Sequence, residues 1–157
     1  ALILDQNHIP ALRGLDKANS LDRLLALVES AELDEQDFAN KDDVDSLISA
    51  EQKYQQALAF DSQSNLVNEG QQRVAQKLLD KRYRLAMSNG FNALFSGRFN
   101  QAKHGFSKAL SLKPNDATAM AAYRQSLASD ERSSLSSLIN NAKVLEKNED
   151  WSQALST

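Results

Sequence analysis

The sequence has no cysteine, and only two prolines and five glycines among its 157 residues. The absence of cysteine excludes disulfide bonds, thiolate metal sites and a cysteine nucleophile. So few glycines and prolines cannot supply the turns of a sandwich or barrel of many short strands. Hydrophobic residues still make up 41 % of the chain, although only 6 % of it is aromatic. We therefore expect an all-α fold whose core is mostly Leu, Ala and Val.

The sequence also has no excess of basic charge. It contains 18 Lys and Arg residues and 21 Asp and Glu residues, which gives a net charge of −3. Domains that bind nucleic acid typically carry the opposite sign. No apolar run approaches the ~18 residues of a membrane span, and the opening residues lack the basic flank of a signal peptide. We expect no nucleic-acid partner and no membrane span here. A soluble, cysteine-free fragment suits the cytoplasm and the periplasm equally.

Residues suited to catalysis or metal binding are few and form no known motif. His8 and His104 are the only histidines, and neither belongs to a zinc-binding HExxH pair. The acidic stretch 34–45 lacks the alternating pattern and terminal Glu of a calcium loop. We interpret this stretch as a solvated loop and a helix start, with Asp43 or Asp45 favourable at the N-terminus. No catalytic residue, metal ligand or cofactor is expected.

The chain contains an internal repeat. Three stretches open with the pair Ala-Leu, at residues 1, 57 and 109, so that the spacings are 56 and 52 residues. One four-residue insertion near Asp42 extends the match. Ala31, Met87 and Ile139 coincide without it, and with it Ala50 coincides with Ala102 and Tyr54 with Phe106. We infer three copies of one helical repeat of roughly 52 residues, approximately 1–56, 57–108 and 109–157.

The second repeat carries the clearest pattern, in residues 90–114. Small, turn-forming and aromatic residues follow in a fixed order: Gly90, Gly97, Phe99, Ala102, Phe106, Ala109 and Pro114. A glycine such as Gly97 readily ends a helix in a left-handed conformation, and Pro114 cannot continue one. This stretch resembles a tetratricopeptide repeat (TPR). The resemblance implies a superhelical array of antiparallel helical hairpins.

Each repeat is longer than a simple tetratricopeptide unit of about 34 residues, by roughly 18 residues. The additional residues fall at 10–19, 65–79 and 117–128. Apolar or small residues recur at every fourth position from Leu66 to Leu78, which indicates a helix. Three polar residues that follow are suited to cap another helix, namely Ser20, Asp80 and Ser129. We expect each repeat to have either three helices, or two of which the first is long and kinked.

Both ends of the sequence fall inside a repeat. The first five residues resemble the end of a second helix, and the residues from Trp151 onward resemble the start of one. We therefore expect a window from a longer array with further repeats on both sides. Stacked repeats cover one another's apolar faces, so that exposed ends would promote self-association.

Basic residues recur at helical spacing in the second repeat, at Arg73, Lys77, Lys81 and Arg84. The simplest interpretation of this basic stripe is a solvated helix face. The alternative is a docking strip, either for an acidic partner or for the acidic stretch of a neighbouring repeat. Some tetratricopeptide proteins clamp a peptide's C-terminal carboxylates with Lys and Asn, but Met87 and Phe91 stand at those positions here. The resemblance does not extend to that activity.

Stacked helical hairpins typically present an extended groove to peptides or protein helices. The resemblance therefore implies a non-catalytic protein–protein interaction scaffold that binds a peptide or a partner protein. An alternative of a different class is a structural or regulatory spacer in a larger enzyme or membrane-anchored envelope protein. For the scaffold, the polar residues expected in the groove are Arg82, Asn89, Asn92, Asn141 and Lys143.

Overall fold

A computed structural model describes residues 9–147, and this part of the chain is almost entirely helical. Long and short helices alternate: α1 Ile9–Lys41, α2 Val44–Leu58, α3 Asn65–Phe95, α4 Phe99–Leu112 and α5 Ala117–Lys147. No strand occurs between residues 9 and 147, which confirms the all-α prediction. The expectations for the first five residues, for His8 and for the residues from Trp151 onward lie outside the described residues.

The additional residues of each repeat form the first turns of the long helices, which begin at Ile9, Asn65 and Ala117. Of the two expected arrangements, three helices per repeat is wrong, since Ser20, Asp80 and Ser129 all lie inside continuous helices. In residues 9–112 each long helix is followed by one short helix, as the other arrangement expected. A capping residue begins a helix only where the preceding one ends, and no Gly or Pro lies within five residues before any of them. The Ser20 hydroxyl instead donates to the Asp16 carbonyl at 2.9 Å, as serines inside helices often do.

The ends of the helices follow the local sequence. Asp43 caps α2, where its carboxylate accepts the Asp45 N–H at 3.2 Å and the Ser46 hydroxyl at 2.9 Å. Asp45 lies in the first turn of α2, so that the predicted acidic helix start is confirmed. Gly97 has a φ of 69°, the left-handed conformation expected after α3.

The chain divides into two compact units, Ala1–Lys81 and Arg82–Thr157. In the first unit, α1, α2 and residues 65–81 of α3 enclose a core of buried apolar side chains. The Tyr54 ring packs so closely on Gly70 that a Cβ there would lie 2.3 Å from it. This explains the small residue at position 70, because any larger one would displace a fully buried ring.

In the second unit, residues 82–95 of α3 pack with α4 and α5 around Phe106. The Phe91 and Phe106 rings meet edge to face, with centroids 5.0 Å apart, a favourable geometry for aromatic pairs. The positions that the internal repeat aligns are equally buried in the two compact units: Ala50 and Ala102, Tyr54 and Phe106, and Ala57 and Ala109 are all 0 % exposed.

Candidate functional site

The antiparallel pair formed by α3 and α4 in the second compact unit brings two glycines into direct backbone contact. A Cβ added to Gly105 would lie 2.7 Å from the Gly90 Cα and 3.2 Å from the Ala86 carbonyl oxygen. Only residues without a side chain permit so close a crossing. The two helices therefore touch through their backbones at this point.

A groove of about 430 Å³ lies along this helix pair. Three of the residues that line it are small and buried: Ala86, Ala93 and Gly105. Six are polar and exposed: Asn89, Asn92, Arg98, Gln101, His104 and Lys108. We call this feature the α3–α4 groove.

The side chains that line the α3–α4 groove can form hydrogen bonds and carry a net positive charge. The side chains of Asn89, Asn92 and Gln101 can each donate and accept hydrogen bonds, whereas Arg98 and Lys108 only donate. No Asp or Glu is among the residues that line the groove. The groove is therefore suited to a ligand with hydrogen-bonding groups and with negative charge.

Two of the five predicted partner-binding residues, Asn89 and Asn92, line the α3–α4 groove. The other three are exposed but do not line it: Arg82 lies on α3, and Asn141 and Lys143 lie on α5.

Sequence reasoning missed the groove residues that lie on α4 or immediately before it. Arg98, Gln101, His104 and Lys108 follow at spacings of three, three and four, beside the buried positions Ala102 and Ala109. That spacing places them on one helix face, so that a helical projection of α4 alone would have indicated a polar strip. It would not have shown that α3 lies alongside it.

Three of the four members of the basic stripe, Arg73, Lys77 and Lys81, lie in the first compact unit, and acidic residues of the same unit bind them. The Arg73 guanidinium lies 3.2 Å from a Glu35 carboxylate oxygen, and Lys77 binds the other oxygen of that carboxylate. Lys81 pairs with Asp42. Of the interpretations that the sequence left open, pairing with the acidic stretch 34–45 is the one that holds for these three residues.

The interpretation of the acidic stretch as a solvated loop is wrong for Glu35. This residue lies inside α1, and its side chain is only 8 % exposed. The Tyr54 hydroxyl donates to it at 2.9 Å, in addition to the bonds from Arg73 and Lys77. Three donors from two other helices replace the water that a buried carboxylate loses.

The electrostatic surroundings of Glu35 favour its charged form. Burial alone would raise the pKa of this carboxyl, but the bonds from Lys77 and Tyr54 and the charges of Lys77 and Arg73 outweigh it, so that the pKa is lowered. The same bond has the opposite effect on Tyr54, whose pKa is raised by burial and by the Glu35 carboxylate.

The second compact unit has no equivalent of this charged cluster among its described residues. The repeat alignment pairs Glu35 with Phe91 and Tyr54 with Phe106, so that an aromatic contact replaces the hydrogen bond between a phenol and a carboxylate. Corresponding positions thus carry a polar pair in one unit and an apolar pair in the other.

Replacement of Glu35 by Gln is expected to lower the stability of the chain by about 1–2 kcal/mol at pH 7, because bonds to a charged acceptor are lost. The pKa of Glu35 in the folded chain is below its ordinary value of 4.5. Its stabilising effect is therefore complete above that pH and is lost as the pH falls through the lowered pKa. Thermal melts of both proteins from pH 7 to pH 3 should show a difference in Tm that shrinks below about pH 4.5.

The matched control is Asp37→Asn on the same helix. Asp37 is 52 % exposed and pairs with Lys41, 3.2 Å away, and exposed pairs of this kind contribute little. The Tm of the Asp37→Asn variant should follow that of the unmodified protein from pH 7 to pH 3. A constant Tm difference for Glu35→Gln down to pH 3 would contradict the proposed charge interaction.

Between residues 9 and 147, no three His, Asp or Glu side chains come together in an arrangement that could hold a metal ion. Each helix in this part of the chain lacks the length or the apolar character needed to cross a membrane.

No protein-family model matches the chain, and neither a curated protein nor a solved structure shows significant similarity to it. The tetratricopeptide resemblance therefore depends on the residues quoted above, and the superhelical arrangement stays a prediction.

Proposed function

We propose that the chain is a non-catalytic interaction scaffold that binds an extended peptide segment of a partner protein in the α3–α4 groove. The observation that carries this proposal is the groove itself, with six exposed polar side chains beside three small buried residues. Its volume of about 430 Å³ falls in the range of sites that bind ligands, roughly 300–1,000 Å³.

The amide side chains favour a peptide as the ligand. An extended peptide carries one unpaired N–H and one unpaired C=O per residue, and Asn89, Asn92 and Gln101 each offer both a donor and an acceptor. These side chains stand on two helices that the contact between Gly90 and Gly105 holds together. Side chains on a preformed surface lose less entropy on binding than side chains on a mobile loop.

Selection of random peptides displayed on phage tests the proposal. We expect enriched peptides whose affinity, measured by fluorescence anisotropy, falls about tenfold in the double variant Asn89→Ala, Gln101→Ala, since each lost hydrogen bond costs about 0.5–1.5 kcal/mol. The control Asn141→Ala removes an exposed amide of α5 that lies outside the groove. It should bind the same peptides normally.

Three results would contradict the α3–α4 groove as the binding site. Loss of binding in Asn141→Ala but not in the double variant would move the site to α5. Enriched peptides that neither variant affects would place the site elsewhere on the chain. Selection without any enrichment would favour the alternative function, a structural or regulatory spacer.

A further inference from the structure

We infer that the α3–α4 groove selects acidic peptides, and in particular extended segments with carboxylates at positions i and i+4. This inference rests on the proposed function and specifies the chemistry of its ligand. Its first support is the sign of the local charge. The chain as a whole carries a net charge of −3, yet the groove is lined by Arg98 and Lys108 and by no acidic residue.

The second support is the spacing of the two cations. Arg98 immediately precedes α4, and Lys108 lies ten residues further along the same groove. Ten residues of α-helix correspond to about 15 Å at 1.5 Å per residue. Positions i and i+4 of an extended peptide are about 13 Å apart, and their side chains point to the same side. The long side chains of Arg and Lys can span the remaining difference.

The residues between the two cations can form hydrogen bonds with the part of the peptide that lies between its two carboxylates. Gln101 and His104 lie between Arg98 and Lys108 on α4, while Asn89 and Asn92 line the groove from α3. These groups offer hydrogen bonds to the peptide backbone. The small residues Ala93 and Gly105 leave room for that backbone beside the helix crossing.

A peptide fits the groove better than a single-stranded nucleic acid, which is also acidic. Proteins that bind single strands typically stack the bases on aromatic side chains. No Phe, Tyr or Trp is among the residues that line the groove. Its amide groups, in contrast, match the regular donors and acceptors of a peptide backbone.

Fluorescence anisotropy with two labelled synthetic peptides tests the inference on the full chain. One peptide has Glu at positions i and i+4 of an uncharged sequence, and the other has Gln at both positions, with both termini blocked. We expect the Glu peptide to bind at least tenfold more tightly at low salt. The difference should shrink when the salt concentration is raised, because exposed charges are screened.

Charge reversal should remove this selectivity. Arg98→Glu and Lys108→Glu are each expected to weaken binding of the Glu peptide at least tenfold, and the milder variants Arg98→Gln and Lys108→Gln to weaken it less. Arg132→Glu is the matched control, because Arg132 is exposed on α5 and does not line the groove. It should change the affinity less than twofold.

The outcomes separate the inference from the proposed function. One outcome is that the Glu and Gln peptides bind equally well and that the double variant Asn89→Ala, Gln101→Ala binds neither. That result would overturn the acidic selectivity but leave the peptide-binding groove intact. No binding of the Glu peptide by a chain that binds phage-selected peptides would also overturn the selectivity alone. Absence of all peptide binding would overturn both. Tighter binding of a labelled oligothymidylate, lost in Lys108→Glu, would assign the groove to nucleic acid instead.

Discussion

Replacement of Phe106 by Ala is expected to lower the free energy of unfolding by about 3–5 kcal/mol, the usual range for a large buried aromatic side chain. Phe106 is 0 % exposed, and its ring meets Phe91 edge to face. The ring also covers Gly90, where an added Cβ would lie 2.6 Å from it. Gly90 has no side chain that could move into the space left by the ring, so that most of the cavity would remain open.

Urea denaturation followed by circular dichroism measures this loss. Phe95→Ala is the matched control, because it removes the same side chain from the same compact unit at a position that is 83 % exposed. The Phe95 ring is stacked on Phe91 at 6.2 Å, so that a cost below about 1 kcal/mol is expected there. A loss of that small size in Phe106→Ala would show that the ring does not hold α3, α4 and α5 together.

The sequence predicts the helices well because their starts depend on local chemistry. The predicted additional segments begin at residues 10, 65 and 117, and the observed helices begin at Ile9, Asn65 and Ala117. The turn before α5 contains Pro114, and Gly97 separates α3 from α4. The capping residues that were predicted but lie inside helices show what local chemistry does not determine. A polar residue such as Ser20 favours a helix start, but it does not end the helix before it.

The two polar features of the fold are harder to predict, since each depends on residues that are far apart in the sequence. Glu35 lies in an acidic stretch that looks solvated, and its burial depends on Tyr54, Arg73 and Lys77 from two other helices. A single sequence does not show that these four residues meet. The spacing of the basic stripe is visible in the sequence, and three of its members pair with the acidic stretch, one of the two docking partners that the sequence allows.

Only two of the residues that line the α3–α4 groove, Asn89 and Asn92, are among those that the sequence singled out. Asn92 lies within the conspicuous pattern in the second repeat, and Asn89 lies beside it. Arg98 and the residues contributed by α4, including Lys108, join them only because Gly90 and Gly105 let the two helices touch. Each glycine alone indicates a flexible or small position. Their contact, which shapes the groove, is a property of the folded chain.

Replacement of Gly105 by Ala is expected to destabilise the chain, whereas the same substitution at Gly14 is expected to stabilise it. Alanine favours a helix over glycine by roughly 0.5–1 kcal/mol. At Gly14, which is exposed inside α1, nothing lies within 4 Å of the added Cβ, so that this gain is realised. At Gly105 the Cβ would lie 2.7 Å from the Gly90 Cα and 2.8 Å from the Gly90 nitrogen.

Backbone atoms cannot rotate away as a flexible side chain can, so that α3 and α4 must move apart to admit the Gly105→Ala methyl group. Overpacking of this kind costs about 1–3 kcal/mol and occasionally more, which exceeds the gain in helix propensity. Because Gly105 also lines the α3–α4 groove, the variant should bind phage-selected peptides more weakly as well. If the helices touch here, urea denaturation should show that the free energy of unfolding falls in Gly105→Ala and rises in Gly14→Ala. A gain in Gly105→Ala equal to that in Gly14→Ala would mean that the helices stand further apart and that the groove has a different shape.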